Sequence, residues 1–112
     1  MGSIDIAKLA KWARCLFQIS ILDNATVAEK LLDQVHAHAE EASQTEIPYP
    51  SEELEWIATK AFNHAVDLYC GGHDEECKNW AGKAINLSHF CGDGGALERL
   101  LGGKFIGLRF GV

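Results

Sequence analysis

Cys70, His73 and Cys77 stand at C-x2-H-x3-C spacing, with His89 and Cys91 further along the chain. Thiolate sulfur and imidazole nitrogen are the ligands of a tetrahedral zinc, and four drawn from these residues would reach one. The same segment also reads as the turn between two helices. Cys77 is then a small packing residue, since a free cysteine behaves as a small buried hydrophobe. We favour this second reading and expect neither a metal nor a cofactor. The alternatives are a zinc- or thiol-dependent small helical protein built on Cys70, His73 and Cys77, and a stand-alone helical oligomerisation module. His36 and His38 are two apart, which sends them to different faces of a helix. No spacing among the cysteines and histidines selects a nucleophile and its base. The sequence has no GxSxG, HExxH, P-loop or dinucleotide-binding glycine pattern, and Gly92-Asp93-Gly94-Gly95 follows no strand. No catalytic residue is assigned, and a non-enzymatic protein is expected.

Binding chemistry rests on another set. Lys60, Asn63 and Asp67 recur one turn apart, so they share a helix face. If that helix is the inner member of a stacked hairpin, the face lines a concave groove together with Ala13 and Phe17 of the first helix. Arg14 and His64 then lie at its edge. Lys60 and Asn63 would hold a peptide backbone or carboxylate, and Phe17 would give an apolar anchor. The plainer alternative is a solvated face on the third helix with Phe17 packed against a neighbour.

These side chains need elements to position them. At 112 residues, with 47% hydrophobic and 23% charged residues, the chain is one folded domain. No apolar run approaches a membrane span, and Lys8, Lys11 and Arg14 interrupt the first apolar stretch, so no signal peptide is read. The four cysteines include no CxxC, which suits a reducing intracellular compartment. The net charge is −6, and residues 23–56 hold nine acids against one base, Lys30. Such a chain lacks the electrostatic footprint for a phosphate backbone; direct nucleic-acid binding and membrane association are not expected. The acidic segment 40–55 is a solvated surface or a site for a basic partner.

Helical periodicity predicts five helices. The first runs from Ile4 to Leu22, capped by Ser3, with Leu9, Trp12, Leu16 and Ile19 as its main stripe and Ile6, Ala10, Ala13, Phe17 and Ile21 as a second row. Thr26-x-x-Glu29 reads as a capping box opening the second. Residues 44–51, with Pro48 and Pro50, form the linker. Ser51 is expected to cap the third helix, Gly71-Gly72 to end it, Asp74 to start the fourth and Asp93 to cap the fifth. The expected organisation is hairpin one over 4–44, linker 44–51, hairpin two over 52–89 and a capping helix over 94–110.

Both hairpins carry one pattern. It is Trp12, Cys15, Leu16, Ile19, Ala28, Leu32 and Val35 in the first, and Phe62, Ala65, Val66, Tyr69, Cys77, Ala81 and Ala84 in the second. The spacing resembles that of the tetratricopeptide repeat, although Trp12 and Phe62 are 50 residues apart where that repeat's period is about 34. The fold class is therefore all-α: tetratricopeptide-like stacked hairpins, two pairs, with a C-terminal cap. Exposure of the second row, chiefly Ile6, Ala10, Phe17 and Ile21, is expected to allow a homodimer in isolation.

Three runs resemble one family more specifically. They are Tyr49 through Cys70, Asp74 through Ala84, and the segment Gly94-Gly-Ala-Leu-Glu-Arg-Leu-Leu101, with Phe62-Asn-His-Ala-Val-Asp-Leu-Tyr69 the most distinctive part. Together they look like the C-terminal part of the fungal sporulation-specific, Zip-type meiotic scaffold family, related to animal testis-expressed meiotic repeat proteins. The likeness spans nearly all of residues 6–110. It implies the end of a long nuclear, chromosome-associated repeat scaffold that binds crossover and synaptonemal-complex proteins, and no enzyme. Family members are many times longer, so the chain would be their terminal repeats and cap, or a short relative.

Overall fold

A computed structural model describes residues 5–45 and 49–108. They form five helices: α1 (Ile6–Asp23), α2 (Ala25–Ala42), α3 (Ser51–Cys70), α4 (Asp74–Ser88) and α5 (Ala96–Ile106). There is no strand among the described residues. The chain is all-α, and the helices stack as two hairpins. α1 folds back on α2 and α3 on α4; α1 then lies against α3, α2 against α4, and α5 closes on α4. The Cα body is flat, 54 × 32 × 16 Å.

Local chemistry sets the helix ends. Asp5 caps α1, its carboxylate accepting from the Ala7 and Lys8 amides; the expected cap Ser3 lies outside the described residues. At α2 the cap is Asn24, not Thr26: its Oδ1 accepts from the Thr26 and Val27 amides at 3.1 and 3.4 Å. Asn24 wins because it sits one residue before the helix with extended backbone, where its amide oxygen reaches the orphan N–H groups. Glu29 is thereby released from any capping box and turns to α4. Ser51 is also not a cap. It is the first residue of α3, and its hydroxyl accepts from the Gly92 amide at 3.1 Å, fastening the α4–α5 turn to the start of α3.

Gly72 ends α3 in the left-handed region at φ 82°. The His73 amide reaches the Leu68 carbonyl and the Gly72 amide reaches Tyr69, a paired closure that satisfies the last carbonyls. The N-cap position of α5 is Gly95, in the left-handed region, and not the expected Asp93; Asp93, two residues earlier, still accepts from the Gly95 and Leu97 amides at 3.0 Å. The backbone N–H of Leu97 holds the Asp93 carboxyl below the usual carboxylate range.

In hairpin two the sequence pattern is the core. Phe62, Ala65, Cys77, Ala81 and Ala84 are buried, and Val66 and Tyr69 pack against them. The alanines let the α3 and α4 backbones close tightly. Helix α1 is rotated from its expected setting. Trp12 is 59% exposed and Ile19 66%, whereas Ala10 and Phe17 are fully buried and Ala13 nearly so. The row with two alanines faces inward because it lets α3 approach α1; a tryptophan and an isoleucine there would hold the backbones apart. The second row is thus core, not a dimerisation surface: Ile6 and Ile21 are half-buried beside it.

Candidate partner-binding groove

One stripe of α3 and one edge of α1 face each other across a groove of about 310 Å³. From α3 come Trp56, Lys60, Asn63, His64 and Asp67; from α1 come Phe17, Gln18, Ile21 and Leu22. Trp56, Lys60, Asn63 and Asp67 follow i, i+4, i+7 and i+11 spacing, so they line one wall in order. Lys60, Asn63 and Asp67 are exposed, and His64 is half-buried.

Five of the seven residues placed at the groove from the sequence line it: Phe17, Lys60, Asn63, His64 and Asp67; Ala13 is buried in the core instead. Phe17 plays a different part from that expected. It is fully buried, so it floors the groove instead of projecting as an anchor. Its ring lies 6.3 Å from that of Trp80 on α4, centroid to centroid, and the His64 and Trp80 rings stand 4.4 Å apart, steeply inclined to each other at 66°. Trp80 is itself buried and supports both rings from beneath.

Arg14 does not line the groove. Its Nε lies 2.8 Å from Glu53 Oε2, a contact of charges without an aligned hydrogen bond. Its guanidinium carbon stands 5.7 Å from the centre of the Trp56 ring, and Lys60 Nζ stands 5.6 Å from the same ring. Two cations on one indole fix the ring's position through attraction to its π face. The groove therefore has a cationic, aromatic end at Trp56 and Lys60 and an anionic end at Asp67, with Ile21 and Leu22 as an apolar wall. Trp56 was legible as the residue one turn before Lys60 on the same stripe. Ile21 was legible in the same way, one turn beyond Phe17 on its row, whereas Gln18 and Leu22 lie off that row and were not.

On the opposite side of the molecule, Lys83 of α4 reaches Glu29 and Asp33 of α2, each at 2.8 Å, and Asn79 donates to Glu29 at 2.8 Å. The hydrogen bond from Lys83 holds the Glu29 carboxyl below its usual range. For Lys83 itself, burial opposes the charged form, but Asp33 and Glu29 outweigh it and raise its value.

The alternative metal set does not converge. Cys70 and His73 are exposed while Cys77 is buried in the core, and the described residues hold no group of three or more His, Cys, Asp or Glu that could bind a metal ion. Burial, with Asp74 beside it, pushes the Cys77 thiol up, so it is a weak thiolate source. No described helix is long and apolar enough to cross a membrane.

No family model matches the chain, and neither a curated protein nor a solved structure matches it.

Proposed function

We propose that the protein is a non-enzymatic, tetratricopeptide-like interaction module that holds a peptide segment of a partner protein in the groove between α1 and α3. The observation that carries this is the ordered wall of Trp56, Lys60, Asn63 and Asp67 facing Ile21 and Leu22. Such a wall offers an apolar strip beside a mid-helix amide, with a positive point and a negative point about 10 Å apart along the helix. It would fix both the hold and the direction of a bound segment. The preferred ligand has an apolar centre, an acidic residue toward Lys60 and a basic one toward Asp67.

Peptide display on the folded protein tests this. Selected peptides should share that polarity, and Lys60→Glu with Asp67→Lys should reject them while leaving folding nearly intact. Peptides bound equally by both proteins would place the interaction elsewhere, with the acidic surface around Glu40 and Glu55 the next place to look.

The narrower role, in a nuclear scaffold that assembles meiotic crossover and synaptonemal-complex proteins, is supported by the sequence resemblance. Its test is capture of those proteins from meiotic cells by the wild type but not by the charge-reversed groove.

A further inference from the structure

Trp12, Ile19 and Leu22 are the exposed large apolar side chains of α1, at 59, 66 and 88%. At 3.6 residues per turn, Trp12 and Ile19 fall in one arc with Lys8, Cys15, Leu16 and Asp23, on the side of the helix away from Ala10 and Phe17. Lys8, Cys15 and Asp23 are exposed and Leu16 is half-buried. The arc has an internal symmetry about the point between Cys15 and Leu16. Trp12 and Ile19 are equidistant from that point, and so are Lys8 and Asp23.

We infer that this face pairs with the same face of a second copy, α1 against α1, antiparallel about a two-fold axis. A two-fold interface must be self-complementary, because every contact occurs twice with the roles exchanged. Centring the axis between Cys15 and Leu16 meets that condition. Each Trp12 then packs on Ile19 of the partner subunit, and each Lys8 faces Asp23 of the partner subunit. Apolar contact lies in the middle and an opposite-charge pair at each end. A slip of one turn would separate Lys8 from its carboxylate and move Trp12 off Ile19, so charge and shape select the same register. The two Cys15 thiols come to lie side by side near the axis. Leu22 belongs to the groove wall and not to this arc, and the arc contains none of the groove-lining residues, so a dimer leaves Lys60, Asn63 and Asp67 free for a partner peptide.

Sedimentation over a concentration series, under reducing conditions, reads the association. The wild type should form a dimer at high concentration. Asp23→Lys should weaken it by about tenfold or more, since both end pairs become repulsive. Lys8→Asp combined with Asp23→Lys should restore it, because the exchanged charges pair again. Trp12→Ala should weaken it without loss of helicity by circular dichroism, the side chain being exposed. A short bismaleimide should join two chains through Cys15 in a Cys70→Ser background, and Cys15→Ser should prevent the cross-link. A chain that stays monomeric at every concentration would overturn the proposal and leave the face to a different protein. So would a dimer indifferent to Asp23→Lys, or one whose charge exchange restores nothing.

Discussion

Arg14 of α1 and Glu53 of α3 meet across the two hairpins, Nε to Oε2 at 2.8 Å, with the glutamate side chain 12% exposed and the arginine 38%. Lys83 with Glu29 and Asp33 makes the matching link between α2 and α4. Among the described residues, each layer of the stack thus carries an ionic clasp from hairpin one to hairpin two. The clasp at Glu53 has a second effect. Burial, together with the charge of Glu53, pushes the Tyr49 hydroxyl up to about 12, so this phenol stays neutral under the α3 terminus.

Removing one partner of that clasp should cost more than removing both. Arg14→Met leaves the Glu53 carboxylate buried without its countercharge, and we expect a loss of about 1–3 kcal/mol, moderated by the solvent that reaches Arg14. Adding Glu53→Leu should recover most of it, because the buried charge is then gone. Urea denaturation of the two single variants and the double variant checks this. A single Arg14→Met variant as stable as the wild type would make the pair a mere surface contact.

The start of α2 gives a sharper local test. Asn24→Ala should cost about 1 kcal/mol, since its side chain satisfies two otherwise orphaned amides. Thr26→Ala should stay within about 0.5 kcal/mol, as expected of an exposed residue outside any cap. The reverse order of effects in thermal melts would restore the capping box to Thr26 and Glu29.

Why some of this was legible and some not has physical causes. Hairpin two declares itself because its apolar residues fall on one face and Gly71-Gly72 supplies an unambiguous stop. The stripe Lys60, Asn63, Asp67 was legible for the same reason, since spacing along one helix fixes a shared face. Helix α1 is apolar around most of its circumference, so periodicity could not choose between its rows. The choice lay in residue size: Ala10 and Ala13 permit a close neighbour, and Trp12 does not. In the sequence Glu53 is one acid of the segment 40–55, and Arg14 a cation at the groove edge. Their pairing depends on how two hairpins stack, which no local spacing encodes. Glu29 was misread likewise, its partners Lys83 and Asn79 lying on α4.

Ala81 measures how tightly α3 and α4 close. It is fully buried between them, with Ala84 one turn on. Ala81→Leu inserts three carbons at a fully buried position and should destabilise by about 1–3 kcal/mol through overpacking. Gly82, beside it, has open space around an added Cβ. Gly82→Ala should therefore stabilise α4 by about 1 kcal/mol. Melting temperatures moving in opposite directions for the two neighbours would support this packing; the same shift for both would refute it.

Cys91 sets an alkaline limit on the fold. The thiol is 6% exposed, and burial, followed by the charges of Asp93 and Glu55, pushes it from 9.0 up to about 12. The unfolded chain ionises this thiol near 9.0 and the folded chain only near 12. Between those values the unfolded state has lost a proton that the folded state still holds, so stability falls as pH rises. The contribution is whole below 9.0 and is lost by about 12. One such group adds at most about 1.4 kcal/mol per pH unit to the slope. Cys77, also raised by burial, adds in the same direction. Cys91→Ala removes one titrating group, and its stability should decline less steeply through that window than the wild type's. Urea midpoints measured across the window with reductant present read the difference. Parallel slopes for the two proteins would mean that Cys91 titrates alike in both states and that the turn beneath α5 is open to water.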